Sequence, residues 1–188
     1  MTDRVIVTGG AGFIGSHLVS ELVGRGSSVT VIDDLSTGSL DNLQEVSARI
    51  EFIEGDIADV AMAGAFADAD LVFHLAVRNV RASIGHPEEN FRVNAVGTLR
   101  ILEAMRDGRR GRFLYVSSSE VYGDAGVTDF SEATVPAPTT VYGAGKLAGE
   151  HIALAYQTTY GMDTRVVRPF NNYGPRSHLE GDSGEVIP

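Results

Sequence analysis

Runs of five to six residues dominated by Val, Ile and Leu recur along the chain, separated by stretches whose apolar positions follow a helical period. The runs predict strands over Arg4–Thr8, Ser28–Asp33, Ile50–Glu54, Leu71–Leu75, Arg112–Ser117 and Thr164–Arg168. Between them the period predicts helices over Phe13–Val23, Val60–Phe66, Pro87–Met105 and Thr140–Tyr160, with a weak turn near Asp41–Val46. The strands do not alternate apolar with polar positions, which is the pattern of a parallel sheet covered on both faces. Strand and helix alternating six times predict an α/β fold built on a doubly wound parallel sheet. The longest irregular stretch, Gly123–Pro138, follows the fifth strand and so falls at the carboxyl edge of the sheet, where ligands bind in such folds.

A length of 188 residues suits one domain with a sizeable core. The absence of cysteine excludes a disulfide scaffold, a zinc–thiolate site and a thiol nucleophile, and it fits a reducing compartment. No apolar run approaches the roughly 18 residues of a membrane span, and the N-terminus lacks the pattern of a secretory signal. A cytoplasmic location without a membrane partner is therefore expected. The formal charge of −10 repels nucleic acid, so no nucleic-acid partner is expected and an anionic ligand must be held locally. Every base but one is arginine; the exception is Lys146, and its surroundings matter because an ammonium is a compact, flexible donor.

Directly after the first strand, Thr8-Gly9-Gly10-Ala11-Gly12-Phe13-Ile14-Gly15 carries G-x-x-G-x-x-G into a helix. Gly9 allows the tight turn, Gly12 lets the backbone approach a pyrophosphate and Gly15 allows close packing, while the helix start offers amide donors. Asp33 and Asp34 end the second strand roughly 20 residues on, where a carboxylate accepts from an adenosine ribose and disfavours a 2′-phosphate. NAD is thus expected over NADP, with one of the two aspartates equally able to cap the turn at Leu35–Gly38. Asp56 and Ile57 follow the third strand and suit an adenine amino group and ring face; alone, Asp56 reads as a helix cap.

The single lysine stands four residues after a tyrosine in Tyr142-Gly143-Ala144-Gly145-Lys146. On a helix the two share a face, so the ammonium favours the phenolate and makes Tyr142 a usable base for a hydroxyl proton. The fifth strand runs into Ser117-Ser118-Ser119-Glu120, where a serine hydroxyl can bridge a substrate oxygen and the phenolate, and Glu120 offers a second acid or base. His74 reads as a satisfied core histidine, and the histidines show no metal spacing, so no metal is expected.

These residues resemble the extended short-chain dehydrogenase/reductase family, within it the NAD-dependent nucleotide-sugar epimerases and dehydratases. The resemblance is carried in order by TGGAGFIG (8–15), VIDDLSTG (31–38), GDI (55–57), HLAV (74–77), NAVGTLRILEA (94–104), SSSEVYG (117–123), YGAGK (142–146) and RPFNNYGPR (168–176). It implies a Rossmann-type NAD-binding domain over residues 1–176. Tyr142 would be the base, Lys146 the contact to the nicotinamide ribose, and Ser118 the hydroxyl partner, with Ser119 and Glu120 beside them. Phe13, Ile14, Leu75, Ala76, Asn94, Ser117 and Pro169 would lie along the cofactor. Phe170 and Asn171 would lie near its nicotinamide end or the sugar nucleotide, and Arg78, Arg81 and Arg176 would be phosphate contacts.

The implied chemistry is transient oxidation at C4 of a nucleoside-diphosphate sugar. A 4-epimerase is the first expectation, with a 4,6-dehydratase or UDP-glucuronate decarboxylase as alternatives; a non-catalytic NAD-binding module, or an inactive fragment, is the reading from another class. Ser119-Glu120 stands where dTDP-glucose-type dehydratases carry Asp-Glu, and the segment after HLAV is one residue short before Pro87. The family continues into a smaller substrate lobe, so residues 177–188 are expected to begin a lobe that is otherwise missing. A homodimer is expected through the helices at Pro87–Met105 and Thr140–Tyr160.

Overall fold

Six strands form where the apolar runs lie: β1 (Arg4–Thr8), β2 (Ser28–Asp33), β3 (Ile50–Glu54), β4 (Leu71–His74), β5 (Arg112–Val116) and β6 (Thr164–Val167). They are all parallel, in the order β3-β2-β1-β4-β5-β6. This computed structural model describes residues 3–108, 111–124 and 129–177. The order reverses between β1 and β4, which makes that junction the topological switch point of a Rossmann fold.

Successive strand residues face opposite sides of the sheet, and both sides are covered. Val5, Val7, Val29 and Val31 pack with Val19 and Val23 of α1 (Phe13–Gly24) and with Leu43 and Val46. Ile6, Ile32, Val72, Phe113 and Tyr115 pack on the other side with Ile101, Leu102 and Met105 of one long helix and Ala153 and Tyr156 of another. This two-sided burial is why the strands read as continuous apolar runs.

The strands β4, β5 and β6 each end one residue before the apolar pattern does. Leu75 and Ser117 still donate to Thr8 O and Val167 O, but their side chains turn into the cleft at the sheet edge. The weak turn near Asp41–Val46 is a ten-residue 3₁₀ helix, Leu40–Arg49, capped by the Ser39 hydroxyl. With three residues per turn, Leu43 and Val46 fall on one face and both are buried. Val60–Phe66 is a 3₁₀ turn, Val60–Met62, followed by α2 (Ala63–Phe66). A short helix that the pattern does not show, α3 (Val80–Gly85), is capped by Asn79, whose side chain accepts from Ala82 N.

The stretch Pro87–Met105 is helical but not uniform: α4 (Pro87–Phe91) runs through a π-helical segment, Arg92–Gly97, into α5 (Thr98–Asp107). The last helix, α6 (Val141–Tyr160), starts after Thr140, whose hydroxyl accepts from Gly143 N, and ends at Gly161 in the left-handed region (φ 68°). No described helix is long and apolar enough to cross a membrane.

Candidate cofactor and catalytic cleft

The loop after β1 is shaped by steric exclusion. Gly9 has φ +70°, and a Cβ there would stand 2.7 Å from Ala76 N, so β1 and the segment after β4 meet backbone to backbone. A Cβ on Gly15 would come within 2.1 Å of Gly9 O, which seats the first turn of α1 directly on the loop. At Gly12 the nearest neighbour of a Cβ is Gly9 O at 3.3 Å, so the missing side chain leaves room on the cleft side instead.

Asp33, at the end of β2, is buried and accepts from Ala11 N and Leu35 N, both at 2.9 Å. Burial pushes its carboxyl above the ordinary value, and the two amide hydrogen bonds offset this only in part. Asp34 behaves oppositely: burial pushes it up, but hydrogen bonds from Ser36 and the Arg78 guanidinium at 2.8 Å leave it below its ordinary value. Both aspartates line the cleft; Asp34 closes a turn and pairs with a cation, while Asp33 is bonded, among the described residues, by backbone amides alone. Arg78, expected as a phosphate contact, is engaged by Asp34, Glu89 and the Ser36 hydroxyl. Asp56 accepts from Ala58 N at 2.8 Å and pairs with Arg92, so it serves as both turn cap and ion-pair partner while lining the cleft.

At the other end, β5 leads into a 3₁₀ turn, Ser119–Tyr122, capped by the Ser118 hydroxyl, which accepts from Glu120 N at 3.2 Å. Lys146 is 2% exposed, and its ammonium lies 4.3 Å from the centroid of the Tyr115 ring. Tyr115 in turn donates to Lys146 O at 3.3 Å. A Cβ at Gly149 would reach 2.3 Å from the Tyr115 hydroxyl oxygen, so glycine there lets α6 settle onto β5. Burial pushes the Lys146 amine down to about 7, with the Glu150 carboxylate pulling the other way. Tyr142 lies half-buried one turn earlier on α6, lining the cleft with Lys146.

The floor is fixed by a directional chain of hydrogen bonds. Thr98 Oγ1 donates to Asn94 O, so His74 Nε2 must donate to Thr98 Oγ1, at 3.0 Å, which leaves Nδ1 to accept from Thr8 Oγ1 at 2.7 Å. Thr8 Oγ1 accepts from Ala76 N at 3.2 Å. Burial, with Lys146 nearby, holds His74 well below its ordinary value, so it stays neutral. It is a satisfied core histidine, as its sequence context suggests.

The two ends form one cleft of ≈ 370 Å³ across the switch point. Gly9, Gly12, Phe13, Ile14, Gly15, Asp33, Asp34, Asp56, Ile57, Leu75 and Ala76 line its first half. Ser117, Ser118, Ser119, Glu120, Tyr142, Lys146, Pro169, Phe170 and Asn171 line its second. Three candidates lie elsewhere, and the exposed Arg81 is one of them. Asn94 is 1% exposed behind the wall, accepting from Arg78 N and donating to Arg78 O, so it shapes the wall without facing the cleft. Arg176 turns toward α1, donating to Ser20 and reaching Glu45. Val93, Asn79 and Asn172 also line the cleft and carry no signal of their own in the sequence. Residues 178–188, most of the expected start of a second lobe, lie outside the described residues, as does part of the irregular stretch after Gly123.

The lining fits a dinucleotide. The cradle at Gly12 would be filled by any Cβ, a buried carboxylate stands at one end, and Ser117 Oγ, buried in the cleft wall, is without a hydrogen-bond partner among the described residues.

A model of the NAD-dependent epimerase/dehydratase family matches residues 5–188. The chain is 39% identical to a UDP-glucose 4-epimerase of Mycolicibacterium smegmatis, covering 97% of the chain and 60% of that protein. It is 41% identical to a dTDP-glucose 4,6-dehydratase of an Actinoplanes species, covering 94% and 59%. The crystal structure of a dTDP-glucose 4,6-dehydratase from Streptomyces venezuelae, with NAD bound, superposes with a TM-score of 0.88 at 37% identity, covering 95% of the chain and 59% of that one. The chain thus spans about 60% of the length of these relatives.

Proposed function

The chain belongs to the NAD-dependent epimerase/dehydratase family, and from that premise we propose that its cleft binds NAD and acts on a nucleoside-diphosphate sugar at C4, as a 4-epimerase. The observation that carries this reading is the continuity of one cleft from the glycine loop and Asp33 to Ser118, Tyr142 and Lys146. Bound NAD supplies the site that accepts the C4 hydride and gives it back. The chain's own groups do the rest. The glycine loop and the first turn of α1 hold the pyrophosphate on backbone amides, and Asp33 accepts from the adenosine ribose. Phe13, Ile14, Asp56, Ile57, Leu75, Ala76, Ser117 and Pro169 flank the cofactor.

Tyr142, as phenolate, takes the C4 hydroxyl proton while Ser118 hydrogen-bonds the same oxygen, and Lys146 stabilises the phenolate and reaches the nicotinamide ribose. The C4–H bond gives up its electron pair as hydride, the O–H bond its proton, and a ketone remains. Hydride returned to the opposite face of C4, with Tyr142 giving its proton back to the oxygen, would invert the centre. Ser119, Glu120 and Asn171 lie where the sugar would be held. Glu120, a carboxylate in the cleft wall, favours 4,6-dehydration as the second reading, since elimination needs an additional acid or base. We further read the protein as a homodimer through α4–α6, whose surface carries the exposed Phe91, Leu99 and Leu154.

The test is incubation with NAD and a panel of UDP-, dTDP- and GDP-sugars, followed by mass and NMR analysis of products. Unchanged mass with inverted C4 supports the epimerase; loss of water or carbon dioxide replaces it with a dehydratase or decarboxylase. NAD binding with no conversion of any sugar favours a non-catalytic binding module. Tyr142→Phe is expected to lower turnover by about a thousandfold or more with NAD affinity retained.

A further inference from the structure

Tyr142, Lys146 and Glu150 recur at intervals of four along α6 and so share one face of it. Glu150 is 2% exposed, as buried as Lys146, and both its oxygens are taken by one partner. Arg168 Nε donates to Oε1 at 2.8 Å and Nη2 to Oε2 at 2.6 Å. The remaining Nη1 donates to the Tyr122 hydroxyl at 2.9 Å, with the guanidinium 4.9 Å from that ring's centroid. One side chain just beyond β6 therefore ties α6 to the turn that carries Ser118 and Glu120. A permanently charged guanidinium bonded to both oxygens pairs the buried carboxylate and fixes its orientation.

The groups that face Lys146 come from three elements. From β4 comes His74, kept neutral between Thr8 and Thr98. From β5 comes Tyr115, whose burial pushes its hydroxyl upward, so that it offers a neutral ring and no charge. From α6 come Tyr142 and Glu150. Among the described residues Glu150 is the carboxylate that acts on the Lys146 amine, opposing the burial that drives the amine toward neutrality. An uncharged amine gives no support to a phenolate, so the balance at this position decides whether the pair can work.

We propose that Glu150, clamped by Arg168, is a positioning residue that favours the charged form of Lys146 one helical turn from Tyr142. The carboxylate touches neither the cleft nor a reacting atom; it acts through the ammonium. Arg168 fixes it in place, and the same guanidinium holds the turn bearing Ser118 in register with α6. The catalytic consequence rests on Tyr142 being the base, but the charge state of Lys146 is read without any substrate.

Because Lys146 is the single lysine, the chain labelled with ¹³C at lysine Cε gives one resonance whose pH titration reports this amine alone. The full 188-residue chain is titrated with and without NAD, alongside three variants. Glu150→Gln is expected to lower the midpoint by about one pH unit, and Glu150→Asp, which keeps the charge, to restore it. Should Glu150→Gln not fold, Glu150→Gln combined with Arg168→Met removes both charges, strands neither, and is expected to give a fall in the same direction, smaller because a nearby positive charge goes as well. An unchanged midpoint without the carboxylate, or the same fall with aspartate, would overturn the proposal and leave Glu150 a structural strut. In turnover assays the rising limb of the pH profile should move upward with Glu150→Gln. A wild-type chain that converts no sugar while the resonance shifts as expected sinks the catalytic reading and leaves this one standing.

Discussion

Gly12 and Gly15 stand three residues apart and answer to different constraints. Gly15 is required by the protein itself, since a Cβ there would collide with Gly9 O at 2.1 Å and only backbone could yield. Gly12 has φ −77°, which alanine adopts freely, and its Cβ would meet Gly9 O at 3.3 Å, relieved by a slight shift of the loop. Gly15→Ala is therefore expected to cost about 2 kcal/mol or more by urea denaturation, through overpacking. Gly12→Ala should stay within about 1 kcal/mol of the parent and yet bind NAD at least about tenfold more weakly by calorimetry. Undiminished NAD binding by Gly12→Ala would show that the pyrophosphate does not lie there. Asp33→Asn keeps one acceptor oxygen for two amides and the ribose, so it should weaken both stability and NAD binding by about 1 to 2 kcal/mol.

The π-helical segment between α4 and α5 places Asn94 where its side chain completes the backbone of Arg78, accepting at 3.0 Å and donating at 2.9 Å. Asn94→Ala would leave the Arg78 N–H without its acceptor, while Asn90 Nδ2 still donates to Arg78 O, so a loss of about 1 to 3 kcal/mol is expected in urea, with weaker NAD binding because residues 75–79 line the cleft. None of this was legible in the sequence. The strands were, because burial on both faces forces continuous apolar runs, and so was the glycine loop, because its constraint is local. Irregular helices escaped detection: Leu43 and Val46 at a spacing of three suit a 3₁₀ helix that no 3.6-residue period describes, and a π turn breaks the phase of a pattern still apolar throughout. The partners of charged residues escaped too. Nothing in the chain order says that Arg78 meets Asp34 and Glu89, that Asp56 meets Arg92, or that Arg168 meets Glu150, because such pairs are chosen by the packing of distant elements.

The molecule as a whole buries two bases, His74 and Lys146, with depressed proton affinity. Unfolding restores their ordinary values, so the unfolded chain holds more protons and stability rises with pH in each window. For His74 the stabilisation is complete above about 6.5 and is lost as pH falls below it. For Lys146 the window runs from about 7 in the folded chain to about 10.4 when unfolded, with a slope of about 1.4 kcal/mol per pH unit. Urea midpoints should climb from pH 5 to pH 9, and Lys146→Met should flatten the upper part of the climb; a midpoint independent of pH between 7 and 9 in the parent chain would refute this. The switch point itself has a temporal side. The cleft opens between β1 and β4, and Thr8 and His74, which meet there, are 66 positions apart in the chain. That distance must be closed, at full entropic cost, before the nucleotide has anything to bind. The ligand therefore arrives too late to hasten folding and can act only on the finished protein. Stopped-flow traces should show NAD slowing the unfolding arm while leaving the refolding arm in place, so that a nucleotide-saturated pool outlives a protease that clears the empty one.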